Sequence, residues 1–496
     1  MKQLMEFGRA HPRLALLILL LVSILAASQL PRLEQDPSGE GMTLSGAADR
    51  TTYEETLRTF GSDKMAVVFV RDEHLFTPGR LERLENLVYN LRDLPGVVRT
   101  ESLFSVQQIR GEEGMLYAAP LIDWLPETES EALRIKQDAT SSPMLVGTLV
   151  SREGDATAVN LFLEPDPSDP RFNRELDQRM ERVISAYRDD FQHIYPLGNP
   201  YLWATVSRLM VQDQKVLVPL SVVVLLLALT LITRSKSGAL LPLLTSGTSI
   251  LWTLAFMGTV GIPINMLTLI VPSLILVIGA TEDIHLLSEY LEGLRLENER
   301  PRAVQYMIHK MGTVVTVTAL TTFFGFLCIT VNPIPILRQF GMAAAFGLLV
   351  NPVVTALLAP VYLRFAGTRT VGELSVQSRT RVADSLAGTV SSWIRNRRRT
   401  VLGISFGLVG VVALFSPRVH LNNDILGVFR EDSEIIQRIR EMSRSLAGVQ
   451  HFSIVIDAGH EGLFKEPEHL ARVAAIQEFI RERGRFDKTL SLVDLR

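Results

Sequence analysis

Seven runs of apolar residues divide the chain, and their lengths suit helices that cross a membrane. A transmembrane helix needs about 20 predominantly apolar residues. The runs lie at residues 14–30, 215–233, 238–260, 265–287, 313–331, 338–363 and 400–416. The long segment between the first two runs is mixed in polarity. The pattern therefore predicts a membrane bundle together with a large water-exposed domain.

Basic residues mark one side of these spans, whereas the loops at 261–265 and 332–335 carry no Lys or Arg. The basic positions are Lys2, Arg9, Arg13, Arg234, Lys236, Arg295, Arg300, Arg302, Lys310, Arg364, Arg369, Arg379, Arg381, Arg395, Arg397, Arg398 and Arg399. Because basic loops stay in the cytoplasm, we expect a cytoplasmic N-terminus, with residues 31–213 and 417–496 outside. Small residues at 26–28 also suit a cleaved signal peptide. The recurrence of the same apolar run at 400–416 argues against that alternative.

The segment after the first span alternates predicted strands and helices. We expect strands at 64–70 and 96–103, a hairpin over 144–164 that turns at Glu153–Asp155, and a last strand at 191–197. Helices are predicted at 78–94 and 171–190, and residues 104–142 show no clear pattern. The order β-α-β-β-α-β is the split βαβ, or ferredoxin-like, arrangement. A generic α+β domain is the alternative.

Residues 7–105 and 388–494 read as two copies of one unit, offset by roughly 386 to 389 positions. Each copy has a basic approach to an apolar run, then a β-like stretch at 64–72 or 451–459. A Leu-Phe pair, a charged amphipathic helix and a Ser-Leu pair follow in both. The second copy stops about a quarter of the way through the repeated unit. We therefore expect the chain to be cut inside its second half.

The amino-acid composition and the net charge narrow the classes of function that the chain can have. Hydrophobic residues make up 47% of the chain and charged residues 21%, with a net charge of −3, so a nucleic-acid partner is not expected. The single cysteine, Cys328, lies in an apolar run and excludes a disulfide within the chain.

The fourth run ends with the ionisable residues Glu282, Asp283 and His285. Ionisable residues inside a span are costly and point to function. Glu282, His285 and Glu289 share one helical face, while Asp283 lies about 100° away, one turn after Gly279. A carboxylate in a low-dielectric environment can hold or release a proton near neutral pH. These residues are therefore candidates for proton coupling.

Two other interpretations of this cluster remain open. Because Glu289 and Glu292 follow closely, the cluster also fits a hydrated cytoplasmic helix end. Glu282 and His285 match one arm of a di-iron site, but no other span offers the second Glu-x-x-His arm. A metal is therefore not expected.

The fifth run carries Thr318, Thr321 and Thr322 at helical spacing. Such hydroxyls either line a proton path or hold helices together through hydrogen bonds. The sixth run is rich in Gly and Ala, which favours close helix packing, and Asn351 in it is a candidate buried polar residue.

In this order, the segments 278–287 (IGATEDIHLL), 316–326 (TVTALTTFFGF) and 340–350 (FGMAAAFGLLV), together with the restart, resemble the resistance–nodulation–division (RND) superfamily. The resemblance is to its "predicted exporter" branch, which is related to MMPL and Patched-like transporters. It implies twelve spans in two halves, each with an extracytoplasmic porter domain, and proton-driven export of hydrophobic or amphiphilic compounds. The family's glycine-x-x-x-aspartate pattern maps onto Gly279 and Asp283.

This chain departs from the family in two places. Glu282 stands where related exporters have an aspartate three residues before the histidine, here His285. Ile284 stands where the MMPL branch has a tyrosine. These departures leave open which carboxylate carries the proton.

The resemblance and the pattern together predict an RND-type polytopic α-helical membrane protein with α+β, ferredoxin-like porter domains, truncated within its second repeat. The predicted regions are 1–30 (cytoplasmic N-terminus and first span), 31–213 (porter domain), 214–366 (five-span bundle), 367–399 (cytoplasmic linker), 400–416 (seventh span) and 417–496 (start of a second porter domain).

We expect a bacterial inner-membrane exporter rather than an enzyme, with no cofactor and with protons and a lipid-like molecule as its partners. Thr318, Thr321 and Thr322 would lie opposite the carboxylates. A periplasmic partner and a homo-oligomer are both compatible with this expectation. A lipid- or sterol-sensing scaffold that does not transport, and an accessory protein of Sec-type export, are the alternatives.

Overall fold

The computed structural model describes residues 1–36, 48–112, 115–164, 171–233, 236–366, 381–419, 425–448, 452–457, 459–460, 462–484 and 486–495. The chain forms two compact units, each built from two separate stretches. The membrane unit contains Met1–Glu34 and Asp213–Val428, and the outer unit contains Gln35–Gln212 and Phe429–Arg496.

The helices and strands are numbered here in chain order. They are α1 (Lys2–Ala10), α2 (Pro12–Ala27), α3 (Ala48–Phe60), β1 (Met65–Arg71), α4 (Pro78–Arg92), β2 (Val97–Glu101), β3 (Gln107–Glu112), β4 (Met115–Pro120), α5 (Glu129–Ser141), β5 (Ala156–Leu163), α6 (Phe172–Ser185), β6 (His193–Gly198), α7 (Asn199–Thr233), α8 (Lys236–Val260), α9 (Val271–Glu297), α10 (Arg300–Leu327), α11 (Pro335–Ala366), α12 (Arg381–Asn396), α13 (Arg398–Phe415), α14 (Glu434–Ser445) and α15 (Pro467–Glu482).

The prediction of seven spans is confirmed for the described residues. Seven helical segments are long and apolar enough to cross a membrane, and each overlaps a predicted run. They are Pro12–Arg32, Asn199–Thr230, Leu240–Val260, Thr268–Glu297, Arg300–Val331, Pro335–Phe365 and Arg398–Arg418. Several extend past their apolar run because a helix continues wherever its backbone bonds are satisfied, whatever the polarity of its side chains.

The membrane unit is organised around α8, α9, α10 and α11, which pack against one another. The amphipathic helix α1 lies on α10 and α11, and α2 lies on α8 and α11. A Cβ atom at Gly8 would lie 2.7 Å from the carbonyl oxygen of Leu357, so only glycine allows this approach of α1 to α11. Helix α13, by contrast, has no buried residue.

The outer unit contains a four-stranded sheet in the order β2-β5-β1-β6, with every neighbouring pair antiparallel. Val68 of β1 lies opposite Val159 of β5 and Pro196 of β6. Alternate residues of β1 and β5 share one hydrophobic core with α4 and α6, as the two-residue period of a strand requires. The strands predicted at 64–70, 96–103 and 191–197 and the helices predicted at 78–94 and 171–190 are present.

The predicted hairpin over 144–164 is only half correct. Its second arm is β5, but residues 144–150 form turns with isolated bridges at Val146 and Val150. Gly147 has a φ of +79°, and the Thr148 hydroxyl bonds back to the carbonyl oxygens of Met144 and Leu145. These local bonds compete with an extended strand.

The stretch 104–142, which shows no clear pattern in the sequence, contains the β3–β4 hairpin and helix α5. Helix α5 begins with a capping box in which Thr128 and Glu131 satisfy each other's backbone N–H groups. That Thr-x-x-Glu spacing was a readable start signal in the sequence.

Helix boundaries recur between the two copies. The ends of α12, α13, α14 and α15 follow the ends of α1, α2, α3 and α4 by 386, 388, 385 and 390 positions, and the short turn Leu30–Arg32 recurs at Ser416–Arg418. Helix α12 begins earlier than this spacing gives and is longer than α1. The predicted strand at 451–459 is not formed within the described part of that segment, 452–457. A strand is held by hydrogen bonds to a neighbouring strand, and the part of the chain that the structure describes gives residues 452–457 no such neighbour. Residues 451 and 458, Arg234 and the linker segment 367–380 lie outside the described residues.

Candidate functional site

The site is built on α9, whose buried face carries two adjacent carboxylates. Asp283 is 0% exposed and Glu282 is 9% exposed. Adjacent positions on a helix differ by about 100°, so the two side chains have different hydrogen-bond partners: Asp283 bonds a residue of α8 and Glu282 a residue of α11.

Asp283 is hydrogen-bonded to a threonine of α8. The Thr245 hydroxyl donates to Asp283 Oδ2 over 2.5 Å, and Thr355 of α11 lies beside the same carboxyl. Within the described residues, no Lys, Arg or His side chain forms an ion pair with Asp283 or Glu282. Among the described residues, Asp283 is therefore hydrogen-bonded to Thr245 through Oδ2 and has no counter-ion, while its Oδ1 and the Thr355 hydroxyl have no hydrogen-bond partner there.

Thr245 suits both protonation states of Asp283. When the carboxyl is ionised, the hydroxyl donates to it. When the carboxyl is protonated, it donates to Thr245 Oγ1, and the hydroxyl then donates to the carbonyl oxygen of Leu241, 3.1 Å away. A proton can thus be gained or lost without stranding a buried donor, which would be costly.

Glu282 meets Asn351 of α11, whose Nδ2 donates to Glu282 Oε2 over 3.4 Å. Gly279, one turn earlier on α9, makes room for this contact. A Cβ atom there would lie 2.7 Å from both Asn351 Oδ1 and Ser246 Oγ. The glycine at this spacing from Asp283 thus has a packing reason: it allows α8 and α11 to approach the carboxylate helix.

The polar cluster extends along α8. Thr245, Ser249 and Thr253 are buried at intervals of four residues, and each hydroxyl also bonds the carbonyl oxygen four residues earlier. Ser246 Oγ and Asn351 Oδ1 are buried and have no hydrogen-bond partner among the described residues. A row of small hydroxyl side chains thus runs from Asp283 along the inside of the bundle.

The outer unit holds a separate buried carboxylate, Asp177 of α6. Its Oδ2 lies 3.9 Å from Arg208 Nη2, and burial raises the pKa of Asp177 to about 6. It lies outside the spans and does not belong to the membrane cluster.

Comparison with known proteins assigns the chain to a family. The family model described as "MMPL family" matches residues 39–401. The chain belongs to the MMPL family.

This MMPL protein is similar to three relatives, and it covers a different share of the length of each. A putative membrane protein of Methanocaldococcus jannaschii is 24% identical over 73% of this chain and 93% of its own. Probable transport protein MmpL12 of Mycobacterium tuberculosis is 24% identical over 47% of this chain and 21% of its own. A putative membrane protein of Streptomyces coelicolor is 26% identical over 46% and 27%. The chain thus spans about a quarter or less of the last two. With seven candidate spans, this MMPL protein is a multi-pass membrane protein.

The structure does not place the remaining predicted site residues beside Asp283. His285 is exposed, because it lies about 200° from Asp283 on the helix wheel. Thr318 and Thr321 of α10 are exposed and Thr322 is half-buried. The hydroxyls of Thr321 and Thr322 bond only carbonyl oxygens of their own helix. Within the described residues, the structure does not bring these threonines to the carboxylates, and their predicted role in proton coupling stays a prediction.

Glu289 lies on the same helical face as Glu282. It is half-buried, and its Oε2 lies 3.3 Å from Lys310 Nζ of α10, whereas Glu292 is exposed. The hydrated helix end thus begins about two turns after Asp283. Within the described residues, no three His, Cys, Asp or Glu side chains are grouped to hold a metal ion.

Sequence reasoning missed Thr245, Ser246, Ser249, Thr253 and Thr355. A signal for three of them was present, because the segment 245–253 repeats a hydroxyl residue every four positions. That spacing predicts one polar face on an otherwise apolar helix.

Proposed function

We propose that this MMPL protein exports hydrophobic or amphiphilic, lipid-like molecules and that protons drive the export through Asp283. One relative is named as a probable transport protein, which supports a transport role. The name describes the relative, and we extend the transport role to this chain because both proteins belong to the same family.

The observation that carries the proposal is the environment of Asp283. A charge in the bilayer interior costs on the order of 3 kcal/mol even on the mild insertion scale. Asp283 is fully buried in a candidate span, its hydrogen-bond partner among the described residues is the hydroxyl of Thr245, and that hydroxyl accommodates either protonation state. A group of this kind can take up a proton on one side of the membrane and release it on the other, provided that its access changes with conformation.

We further propose that the outer unit is a porter domain of the ferredoxin-like type. Supporting this, β1 and β2 run in the same direction with β5 between them, and β5 and β6 do so with β1 between them. In this proposal residues 31–213 and 417–496 lie on the periplasmic side of the inner membrane. The bundle 214–366 and the seventh span 400–416 cross it, the linker 367–399 is cytoplasmic, and substrate enters from the membrane or the outer unit.

The proposal is tested with the full chain in phospholipid vesicles that carry a small fraction of NBD-labelled phosphatidylethanolamine. Dithionite, which does not cross the membrane, reports how much label lies in the outer leaflet. We expect an imposed pH gradient to shift the label between leaflets and a protonophore to abolish the shift. Vesicles without protein and vesicles without a gradient are the controls.

Two results would contradict the proposal. If the label moves equally with and without the gradient, protons do not drive transport. If the protein binds the labelled lipid but moves none under any gradient, the scaffold alternative takes its place.

A further inference from the structure

Helix α12 is tied closely to the candidate span α13. It ends at Asn396 and α13 begins at Arg398, so only Arg397 separates them. The N–H of Arg397 still donates to the carbonyl oxygen of Trp393 over 2.8 Å. A connection this short keeps the last turns of α12 at the level where the chain enters the membrane.

The end of α12 presents an apolar side that no described residue covers. Val390, Trp393 and Ile394 are all exposed, and their spacing of three and four places them on one face. Tryptophan is enriched at the boundary between lipid and water, where its ring is partly apolar and its N–H is polar. The face therefore suits a membrane surface.

Four arginines lie beside this face: Arg395, Arg397, Arg398 and Arg399. All four are exposed, and within the described residues none forms an ion pair. In α1, the corresponding helix of the first copy, Arg9 is paired with Glu6 at 2.9 Å. No described residue thus competes with an external anion for these four arginines at the junction of α12 and α13.

The comparison with α1 also argues against a protein groove as the partner of α12. Helix α1 fits against α11 because Gly8 has no side chain there. The position that corresponds to Gly8, roughly 386 residues later, is Ile394. Its branched side chain could not come as close to a backbone carbonyl oxygen as Gly8 does, so α12 would not pack on another helix in the way that α1 packs on α11.

We propose that α12 lies along the membrane surface, with Val390, Trp393 and Ile394 among the lipid acyl chains and the four arginines on the headgroups of anionic phospholipids. Amphipathic helices with basic residues bind in this way, and each basic residue strengthens binding to an anionic surface. This site is independent of Asp283 and of the transport proposal.

The test uses the full chain in phosphatidylcholine vesicles that contain one-tenth brominated lipid, either phosphatidylglycerol or phosphatidylcholine. Bromine quenches tryptophan on contact, and the difference between the unaltered chain and a Trp393→Phe variant isolates Trp393 from the other tryptophans. We expect brominated phosphatidylglycerol to quench Trp393 several-fold more than brominated phosphatidylcholine. Replacing all four arginines by glutamine should remove that preference. Below saturation, each replacement should weaken binding to the anionic lipid by roughly fivefold.

A matched control replaces four exposed arginines of the outer unit, Arg92, Arg182, Arg472 and Arg483, by glutamine and should keep the preference. Because charge changes beside a span can alter insertion, the unaltered chain is also measured in 1 M salt. Salt screens contacts of this kind, so the preference should fall there. Equal quenching by both lipids would overturn anionic recognition, and no quenching by either would show that protein or water covers α12.

Discussion

Helices α8 and α10 both pack against the carboxylate helix α9, and both carry hydroxyl residues at helical spacing. On α8, Thr245, Ser249 and Thr253 are buried, and Thr245 bonds Asp283. On α10, Thr318 and Thr321 are exposed. A row of hydroxyls in the sequence thus indicates a polar face on a helix, whereas helix packing determines which residues that face contacts.

Small residues explain why α8 turns its hydroxyls inward. Gly279 of α9 lies against Ser246, and a Cβ atom at Gly347 of α11 would lie 2.9 Å from Thr253 Oγ1. Helix α10 instead buries another set of side chains, Ala303, Met307 and Val315 among them, and exposes Val317 and Leu320 beside its threonines. Its threonines are on the remaining side, where each can satisfy its hydroxyl on its own backbone.

The largest effect is expected at the residue that the α8 hydroxyls face. Asp283→Asn keeps the size of the side chain and removes a charge that is costly to bury, so the protein should still fold. It should abolish gradient-dependent transport, because an amide cannot release a proton. The measurement is label movement in vesicles under a pH gradient, with Glu289→Gln as the control carboxylate. Normal transport by Asp283→Asn would remove this residue from the mechanism.

A matched pair of variants, Thr245→Val and Thr318→Val, tests whether transport depends on the hydroxyls of α8 or on those of α10. Both keep the shape of the side chain and remove a hydroxyl. Thr245→Val leaves the buried Asp283 carboxyl without its donor, a loss of about 1–3 kcal/mol, so transport should fall roughly tenfold or more. Thr318→Val should stay within about twofold, because its hydroxyl meets no carboxylate. The reverse pattern would restore α10 as the coupling helix.

A second matched pair tests the packing that holds the cluster together. Gly279→Ala places a methyl group against Asn351 and Ser246, and overpacking of this kind costs about 1–3 kcal/mol. Gly325→Ala on α10 meets nothing within 4 Å and should leave stability unchanged or slightly higher. Thermal unfolding of the full chain in detergent measures both. Equal melting temperatures would mean that α8, α9 and α11 can separate without cost.

A smaller effect is expected for Glu282→Gln. The glutamine can still accept from Asn351, whose bond to Glu282 is long at 3.4 Å, and Glu282 has no hydroxyl partner like Thr245 among the described residues. Transport should fall a few-fold rather than vanish. If Glu282→Gln is inactive while Asp283→Asn transports normally, the proton belongs to Glu282.

The sequence alone determined the elements of this protein whose signals are local. Seven spans follow from the length of apolar runs, and the outer strands and helices follow from residue type and periodicity. The repeat was visible because matching residues recur at one offset along the chain. The choice of Asp283 and Glu282 as candidate site residues also follows locally, because a carboxylate within an apolar run is costly wherever the helix lies.

The side chains that surround those carboxylates depend on how the helices pack in the tertiary structure. Thr245 is 38 positions from Asp283, and Asn351 is 69 positions from Glu282. No periodicity within one helix can show which neighbour it will pack against, because that depends on how closely two backbones approach. Here Gly279 allows α8 and α11 to approach α9 closely, because a side chain at that position would collide with Ser246 of α8 and Asn351 of α11. The same reason explains why the threonines of α10, equally regular in sequence, lie outside the site.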